Sequence, residues 1–181
     1  MALTSTMYAF DVALANVDRG VYEPLEFRMA MHPSESPEYF VARLLAYCLE
    51  YTEGIAFSRG ISDPDEPPLT VRDLTGSLKV WIELGAPDAA RLHKASKAAP
   101  RVAIYTHRDP AQLWRQWEGE KIHRAEQIEL YALDRELIDA IAERLDRRMK
   151  LELSVTDGTI FVNVAGATLS GTLQRYSVRE P

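Results

Sequence analysis

The sequence predicts an α/β domain: a mixed sheet flanked by helices, with additional antiparallel strands at the N- and C-terminal ends. Three observations predict it. Period-two alternation runs through residues 6–31. Short apolar strand-like runs alternate with helical stretches in the middle of the chain. A Gly-containing turn, Asp157-Gly158, joins strand patterns near the end. Period two buries one face of a strand, whereas period 3.6 buries one face of a helix, so the pattern separates the two.

Taken in order, Tyr8, Phe10, Val12 and Leu14 alternate with Ala9, Asp11 and Ala13, and Leu25, Phe27, Met29 and Met31 repeat the pattern. Asp18-Arg19-Gly20 between them carries turn chemistry. Ser36 is an N-cap with Pro37 at the first helical position, where a missing N–H does no harm. That helix runs to about Thr52, with Phe40, Leu44, Leu45, Cys48 and Leu49 at helical spacing and Gly54 as its stop. A short strand follows at Ile55–Arg59, then a proline-rich turn at 63–68. Leu69–Asp73 and Leu78–Leu84 form a hairpin. Asp88 caps a helix from Ala89 to Ala98, and Val102–Thr106 reads as a buried strand. Residues 109–127 fit either a helix or an ordered loop. Ile128–Ala132 is a strand, and Asp134 caps a helix with Leu137, Ile138, Ile141 and Leu145 inward. Strands at Leu151–Thr156, Thr159–Val164 and Thr168–Arg175 complete the order.

With 181 residues, 46% of them hydrophobic, the chain suits one full core, and a single domain over 1–181 is expected. No apolar run has the length of a membrane span. Met1 to Phe10 lacks a basic start followed by an apolar block, the mark of a secretory leader. The lone Cys48 excludes an internal disulfide and sits in an apolar helical pattern, as a packed core thiol would. A cytoplasmic protein fits these points. The net charge of −6 is uneven: residues 91–125 hold eight basic and three acidic side chains, a net of +5, which leaves −11 elsewhere. An acidic chain with one basic segment meets a polyanion locally and is not a general coater of DNA. A solvated basic helix and loop gives the same charge pattern.

The richest chemistry lies between Pro64 and Gly85. Hydrolysis of a phosphodiester without a covalent intermediate needs an activated water and neutralisation of developing charge, and Mg²⁺ held by carboxylates supplies both. If the hairpin turns at 74–77, residue 68 faces residue 83 and Asp73 lies five residues further along, on the order of 16 Å from Glu83. Asp65, just beyond Pro68, is then the better partner for Glu83, while Asp73-Leu74-Thr75-Gly76 reads as turn chemistry. Glu83 shares a strand face with Lys79 and Trp81, and a carboxylate beside a tryptophan near a strand end needs a cation, a metal or backbone donors. A structural pairing with Lys or Arg meets the same need. Lys94, on the following helix, is the candidate cation, although Leu92, Ala95 and Ala99 mark the buried face opposite it. His32, His93, His107 and His123 show no zinc-ligand spacing, and no phosphate loop or nucleophile elbow is present. Trp114 and Trp117 beside Arg115 suit base stacking, and suit a core position or loop clamp better.

Several of these residues carry a family resemblance. Pro64-Asp65-Glu66-Pro67, Arg72-Asp73-Leu74-Thr75-Gly76, Trp81-Ile82-Glu83-Leu84-Gly85 and Arg91-Leu92-His93-Lys94-Ala95 closely resemble the bacterial YaeQ family. The opening hairpin, His32-Pro33-Ser34-Glu35, Arg147-Arg148-Met149-Lys150-Leu151 and the Asp157-Gly158 turn resemble it too, so the likeness covers essentially the whole chain. It implies a PD-(D/E)XK, restriction-endonuclease-like fold with its core over 36–106, and a loose link to transcription elongation. On that pattern Asp65 and Glu83 are the metal ligands. Gly85 stands where the motif has lysine, so the lysine comes from the next helix as Lys94. The expectation is a Mg²⁺-dependent nuclease with Asp65, Glu83 and Lys94 catalytic. The alternative is a non-catalytic factor on the same fold. It would bind nucleic acid or a protein of the transcription machinery, with residues 91–125 as the contact surface.

Overall fold

The computed structural model describes residues 4–58 and 65–179. In chain order its elements are β1 (Thr6–Asn16), β2 (Val21–Met31), α1 (Pro37–Leu49), β3 (Ile55–Phe57), β4 (Leu69–Arg72), β5 (Leu78–Leu84), α2 (Ala89–Ala98), β6 (Arg101–Thr106), α3 (Pro110–Trp117), a 3-10 turn (Ala125–Gln127), β7 (Glu129–Leu133), α4 (Arg135–Ala142), β8 (Arg148–Thr156), β9 (Thr159–Val164) and β10 (Ala167–Ser177). Two compact units divide the chain: Met1–Leu49 with Leu133–Leu173, and Glu50–Ala132 with Gln174–Pro181. The segment 36–106 therefore runs across this division.

In the first unit the strands lie in the order β2-β1-β8-β9-β10. β1 pairs antiparallel with β2 and parallel with β8, and the last three strands form antiparallel hairpins. The alternation read from the sequence sets the inner face: Phe10, Val12, Leu14, Leu25 and Met29 are buried, as are Met149, Leu151, Leu153, Val155, Ile160 and Val162. α1 lies on that face through Phe40, whose ring meets Tyr8 and Phe10. Fully burying each such side chain contributes about 1.5–3 kcal/mol, which outweighs the modest helix propensity of so short a segment. The Ser36 hydroxyl accepts from the Tyr39 N–H (3.1 Å), as its capping role requires. α1 is tied to the end of β2 by a buried ion pair, in which Arg43 contacts both oxygens of Glu35 (2.8 and 3.0 Å) and donates to the Ala30 carbonyl (2.6 Å).

In the second unit the order is β7-β6-β5-β4-β3, with β5, β6 and β7 parallel and β3, β4 and β5 antiparallel. One face is covered by α2 and α3, whose Leu92, Ala95, Leu113 and Trp117 pack with Trp81, Val102, Ile104 and Leu130. Trp117 is fully buried with its indole N–H on the Pro87 carbonyl (2.8 Å), and the Trp114 indole donates to the Ser177 carbonyl (3.1 Å). These tryptophans are core and clamp; base stacking is closed to Trp117.

The boundaries depart from the sequence reading in instructive places. α1 stops at Leu49, short of Thr52, because the Ile55 N–H turns back onto the Thr52 carbonyl (3.2 Å) and Gly54 takes a φ of +93°. Residues 109–127 are both of the things expected. Asp109 caps α3 with Pro110 in its first turn, and after Arg124, at φ +48°, the chain makes the 3-10 turn. β8 starts at Arg148, well before Leu151, because Ala9 of β1 pairs with Arg148. Leu145, expected on the inward face of the last helix, lies beyond α4 and is only half-buried. Arg59 and Pro64 lie outside the described residues.

Candidate functional site

The hairpin register follows the geometric expectation. Leu69 pairs with Ile82, Thr70 with Trp81 and Val71 with Val80, so position 68 falls opposite Glu83. A bulge after Val71 shifts the far end, where Arg72 meets Leu78. Asp73 belongs to that far end. Its Oδ1 accepts from the backbone N–H of Thr75 (2.9 Å) and of Ser77 (3.0 Å) and from the Thr75 hydroxyl (2.5 Å), and Lys79 lies 3.4 Å from its Oδ2. The Thr75 hydroxyl and these donors hold the carboxyl down at about 2. Asp73 is turn chemistry, as its sequence context says.

Glu83 sits near the end of β5 on the face covered by α2, only 4% exposed. Its Oε2 accepts from the Trp81 indole N–H (3.0 Å) and from Arg91 Nε (2.6 Å). Burial pushes the carboxyl above its usual range, and the bonds to Trp81 and Arg91 offset only part of that. Arg91 lies in the first turn of α2, where Asp88 caps the helix by accepting from the Arg91 N–H (2.8 Å). Its Nη2 donates to the Glu66 carbonyl (3.0 Å) and its guanidinium lies 5.7 Å from the Trp81 ring centroid. One turn along, Lys94 pairs with the exposed Asp65 carboxylate. The three sequence-selected residues are thus gathered around the first half of α2. Asp65 is held by Lys94, and Glu66 beside it is joined through Arg91 to Glu83.

The sequence reading passed over Arg91. Its signal was present: Glu83 needed a cation, and Arg91 precedes Lys94 by one helical turn on the same face. The glycine at position 85 has a physical reason. Gly85 takes a φ of +75° as β5 ends, with its N–H on the Tyr105 carbonyl (2.9 Å), a backbone conformation in which a lysine is strained by about 1–2 kcal/mol.

The donor set bears on metal binding. Two carboxylates, Asp65 and Glu83, face two cations, Lys94 and Arg91, so the group is close to neutral before any ion arrives. No cluster of three or more His, Cys, Asp or Glu side chains suited to a metal occurs among the described residues.

Two further groups stand out in the same unit. Arg101 donates to both oxygens of the buried Glu50 (2.7 and 2.9 Å) and to both of Glu129 (2.6 and 3.1 Å). Tyr105 closes on Glu50 (2.6 Å) and Tyr131 on Glu129 (2.6 Å), and the two rings stack at 4.8 Å. Burial and the neighbouring Glu129 push the Tyr131 hydroxyl up to about 12. Secondly, the loop after α3 is pinned to α2. Arg124 Nη2 bonds the Ser96 and Ala99 carbonyls, and the His123 N–H donates to His93 Nδ1 (3.0 Å). This sets Lys121 and His123 beside His93 and Lys97. Partial burial, then the charges of Lys97, Lys121 and His123, hold the His93 imidazole below its usual range. Cys48 is fully buried, and burial pushes its thiol up to about 12, as suits a core residue.

The family model for YaeQ protein matches residues 1–173. The chain belongs to the YaeQ family. Among YaeQ proteins it is 34% identical over 164 residues to that of Escherichia coli (strain K12), covering 90% of this chain and 91% of the relative. It is 34% identical over 166 residues to that of Salmonella typhi, covering 91% and 92%. The crystal structure of YaeQ from Pseudomonas syringae superposes with a TM-score of 0.84 at 32% identity, covering 94% of this chain and 95% of that one. YaeQ from Xanthomonas axonopodis pv. citri gives 0.86 at 28% identity, covering 98% and 100%. The α/β architecture of this chain is therefore that of solved YaeQ structures. No helix among its described residues is long and apolar enough to cross a membrane.

Proposed function

We propose that this YaeQ chain is a non-catalytic nucleic-acid-binding factor on a restriction-endonuclease-like core. The helix, three strands, helix and strand that run in sequence from α1 to β6 support that core. The observation that carries the binding reading is the convergence of His93, Lys97, Lys121 and His123, held together by Arg124 and the His93–His123 hydrogen bond. The loop that carries Lys121 is pinned to α2 beside Lys97, so the two lysines are presented together to phosphates with little backbone ordering left to do. The pairing of Glu83 with Arg91 supports the non-catalytic half, since Mg²⁺ would have to displace a part-buried, hydrogen-bonded guanidinium to reach that buried carboxylate.

The nuclease reading has one observation in its favour: Lys94 does reach Asp65, as a lysine supplied from the helix should. In it Asp65 and Glu83 would hold Mg²⁺ and Lys94 would stabilise developing charge.

Anisotropy of a labelled single-stranded oligonucleotide, measured across a salt series, tests the first reading. The charge reversals Lys97→Glu and Lys121→Glu should weaken binding and flatten the salt dependence by roughly 0.7 in log–log slope per lost phosphate contact. Binding that ignores both substitutions sinks it. A metal titration of wild type against Glu83→Gln separates the two readings. A Mg²⁺-dependent signal that the substitution abolishes would establish the nuclease.

A further inference from the structure

Among the described residues β2 is an edge strand of eleven residues, paired on one side only. Which of its backbone groups face outward follows from β1. The Ala9 N–H points to β8, bonding the Arg147 carbonyl (2.8 Å), so odd-numbered residues of β1 face β8 and even-numbered ones face β2. The partners of those even residues are Val21, Glu23, Leu25, Phe27, Met29 and Met31. The outward set on β2 is therefore Tyr22, Pro24, Glu26, Arg28 and Ala30. Pro24 falls on the side where a missing N–H leaves the β1 ladder intact. The Ala30 carbonyl, also outward, is occupied by Arg43 (2.6 Å).

The exposed charges on this edge are unbalanced within the chain. Glu26 stands directly opposite Asp11 of β1, a like-charge pair, while Lys150 of β8 stands opposite Asp11 on its other side and leaves Glu26 without a cation next to it on β1. Arg28 stands opposite Ala9, which has Arg148 on its other side. Neither Glu26 nor Arg28 enters an ion pair among the described residues.

We propose that β2 is the contact surface for a second copy of this chain, joined edge to edge by antiparallel pairing about a two-fold axis at Phe27. In that register Glu26 faces the other copy's Arg28 and Arg28 faces its Glu26, each as a hydrogen-bonded strand pair. Glu26 and Arg28 then each gain a partner, and the repulsion between Glu26 and Asp11 is offset. Pro24 comes opposite Ala30, so the position with no N–H to give meets the carbonyl already held by Arg43. Phe27 meets Phe27 on the inner face. Centring the axis on Glu26 or Arg28 instead would set like charges against each other. Charged residues and proline on an edge usually block such pairing, but here their spacing is self-complementary. The strand alone buries less area than the roughly 1,200 Å² of a stable interface, so the dimer forms in the micromolar range or above.

Sedimentation velocity from low micromolar to several hundred micromolar concentration tests this. Wild type should move from monomer to dimer across the series. Arg28→Glu should stay monomeric, because Glu26 would then face glutamate. The double swap Glu26→Arg/Arg28→Glu should recover the dimer, since it restores opposite charges in the same register. Both positions are exposed, and circular dichroism verifies that each variant folds. The amides of Glu26 and Arg28 should exchange more slowly as concentration rises. A wild type that stays monomeric throughout, or single and double swaps that behave alike, overturns the proposal.

Discussion

Arg91 Nε meets Glu83 Oε2 at 2.6 Å, and this contact decides how the end of β5 behaves. A buried carboxylate is tolerated there because the guanidinium and the Trp81 indole take up one oxygen. Removing the cation leaves the charge uncompensated, a change that typically costs about 3–5 kcal/mol. Arg91→Met should therefore lower stability by that order at neutral pH in urea melts. The double variant Arg91→Met/Glu83→Gln should recover most of it. The pH dependence has a definite sign. The folded pKa of Glu83 lies above its ordinary 4.5, so its contribution is complete below that value and declines as pH rises through the raised pKa. Arg91→Met raises that pKa further, so the gap to wild type should widen from acid toward neutral pH.

Asp73 should show the opposite sign. Its carboxyl is held at about 2 against an ordinary 3.8, chiefly by the Thr75 hydroxyl and then by the Ser77 and Thr75 amides and Lys79. The stability it adds is present above 3.8 and is lost as pH falls toward 2. Asp73→Asn should flatten the acid limb of a stability–pH profile in that window, with its deficit against wild type full above pH 3.8 and closing as pH falls toward 2. An unaltered acid limb would refute this account of the turn.

What could be read in the sequence was what depends on local chemistry. Asp88 and Asp134 cap helices as their context indicates, and counting back from the turn placed position 68 opposite Glu83, although it missed the bulge that sets Arg72 opposite Leu78. The placement of Asp73 away from Glu83 followed from the same count. Less legible was whatever depends on a distant partner. β8 extends to Arg148 because β1 lies beside it, and Glu50 meets Arg101 across 51 residues of chain. Arg91 could have been named as the partner of Glu83 from helical spacing. That Lys94 would turn toward Asp65 needed the position of the 65–66 segment, which local pattern does not fix.

Arg101 is the hub of two carboxylates, Glu50 and Glu129, and the first of these is 2% exposed. Burial works against the charge on Glu129, but Arg101 and Tyr131 outweigh it and hold that carboxyl below its usual range. Arg101→Met should destabilise by about 3–5 kcal/mol, because the buried Glu50 carboxylate loses the cation that meets both its oxygens. Arg101→Lys should recover part of this and not all, since an ammonium cannot span both carboxylates in bidentate fashion. Equal stability of the lysine variant and wild type in thermal melts would show that geometry at this hub is unimportant.

Gly54 gives the sharpest steric prediction. It sits at φ +93°, its carbonyl accepts from the Arg72 N–H (3.1 Å), and a Cβ added to it would fall 2.0 Å from the Arg72 carbonyl oxygen. The backbone there is the end of β4, held by its ladder to β5, so it cannot yield without breaking strand pairing. Positive φ alone costs an alanine about 1–3 kcal/mol, and the clash adds to it. Gly54→Ala should therefore destabilise by more than 3 kcal/mol, on the order of the largest single-residue effects. Gly76→Ala is the matched control: it also has positive φ, +86°, but no atom lies within 4 Å of an added Cβ. The control should lose only the conformational part, about 1–2 kcal/mol. If the two variants melt together, close approach of Gly54 to Arg72 is not what fixes glycine at that position.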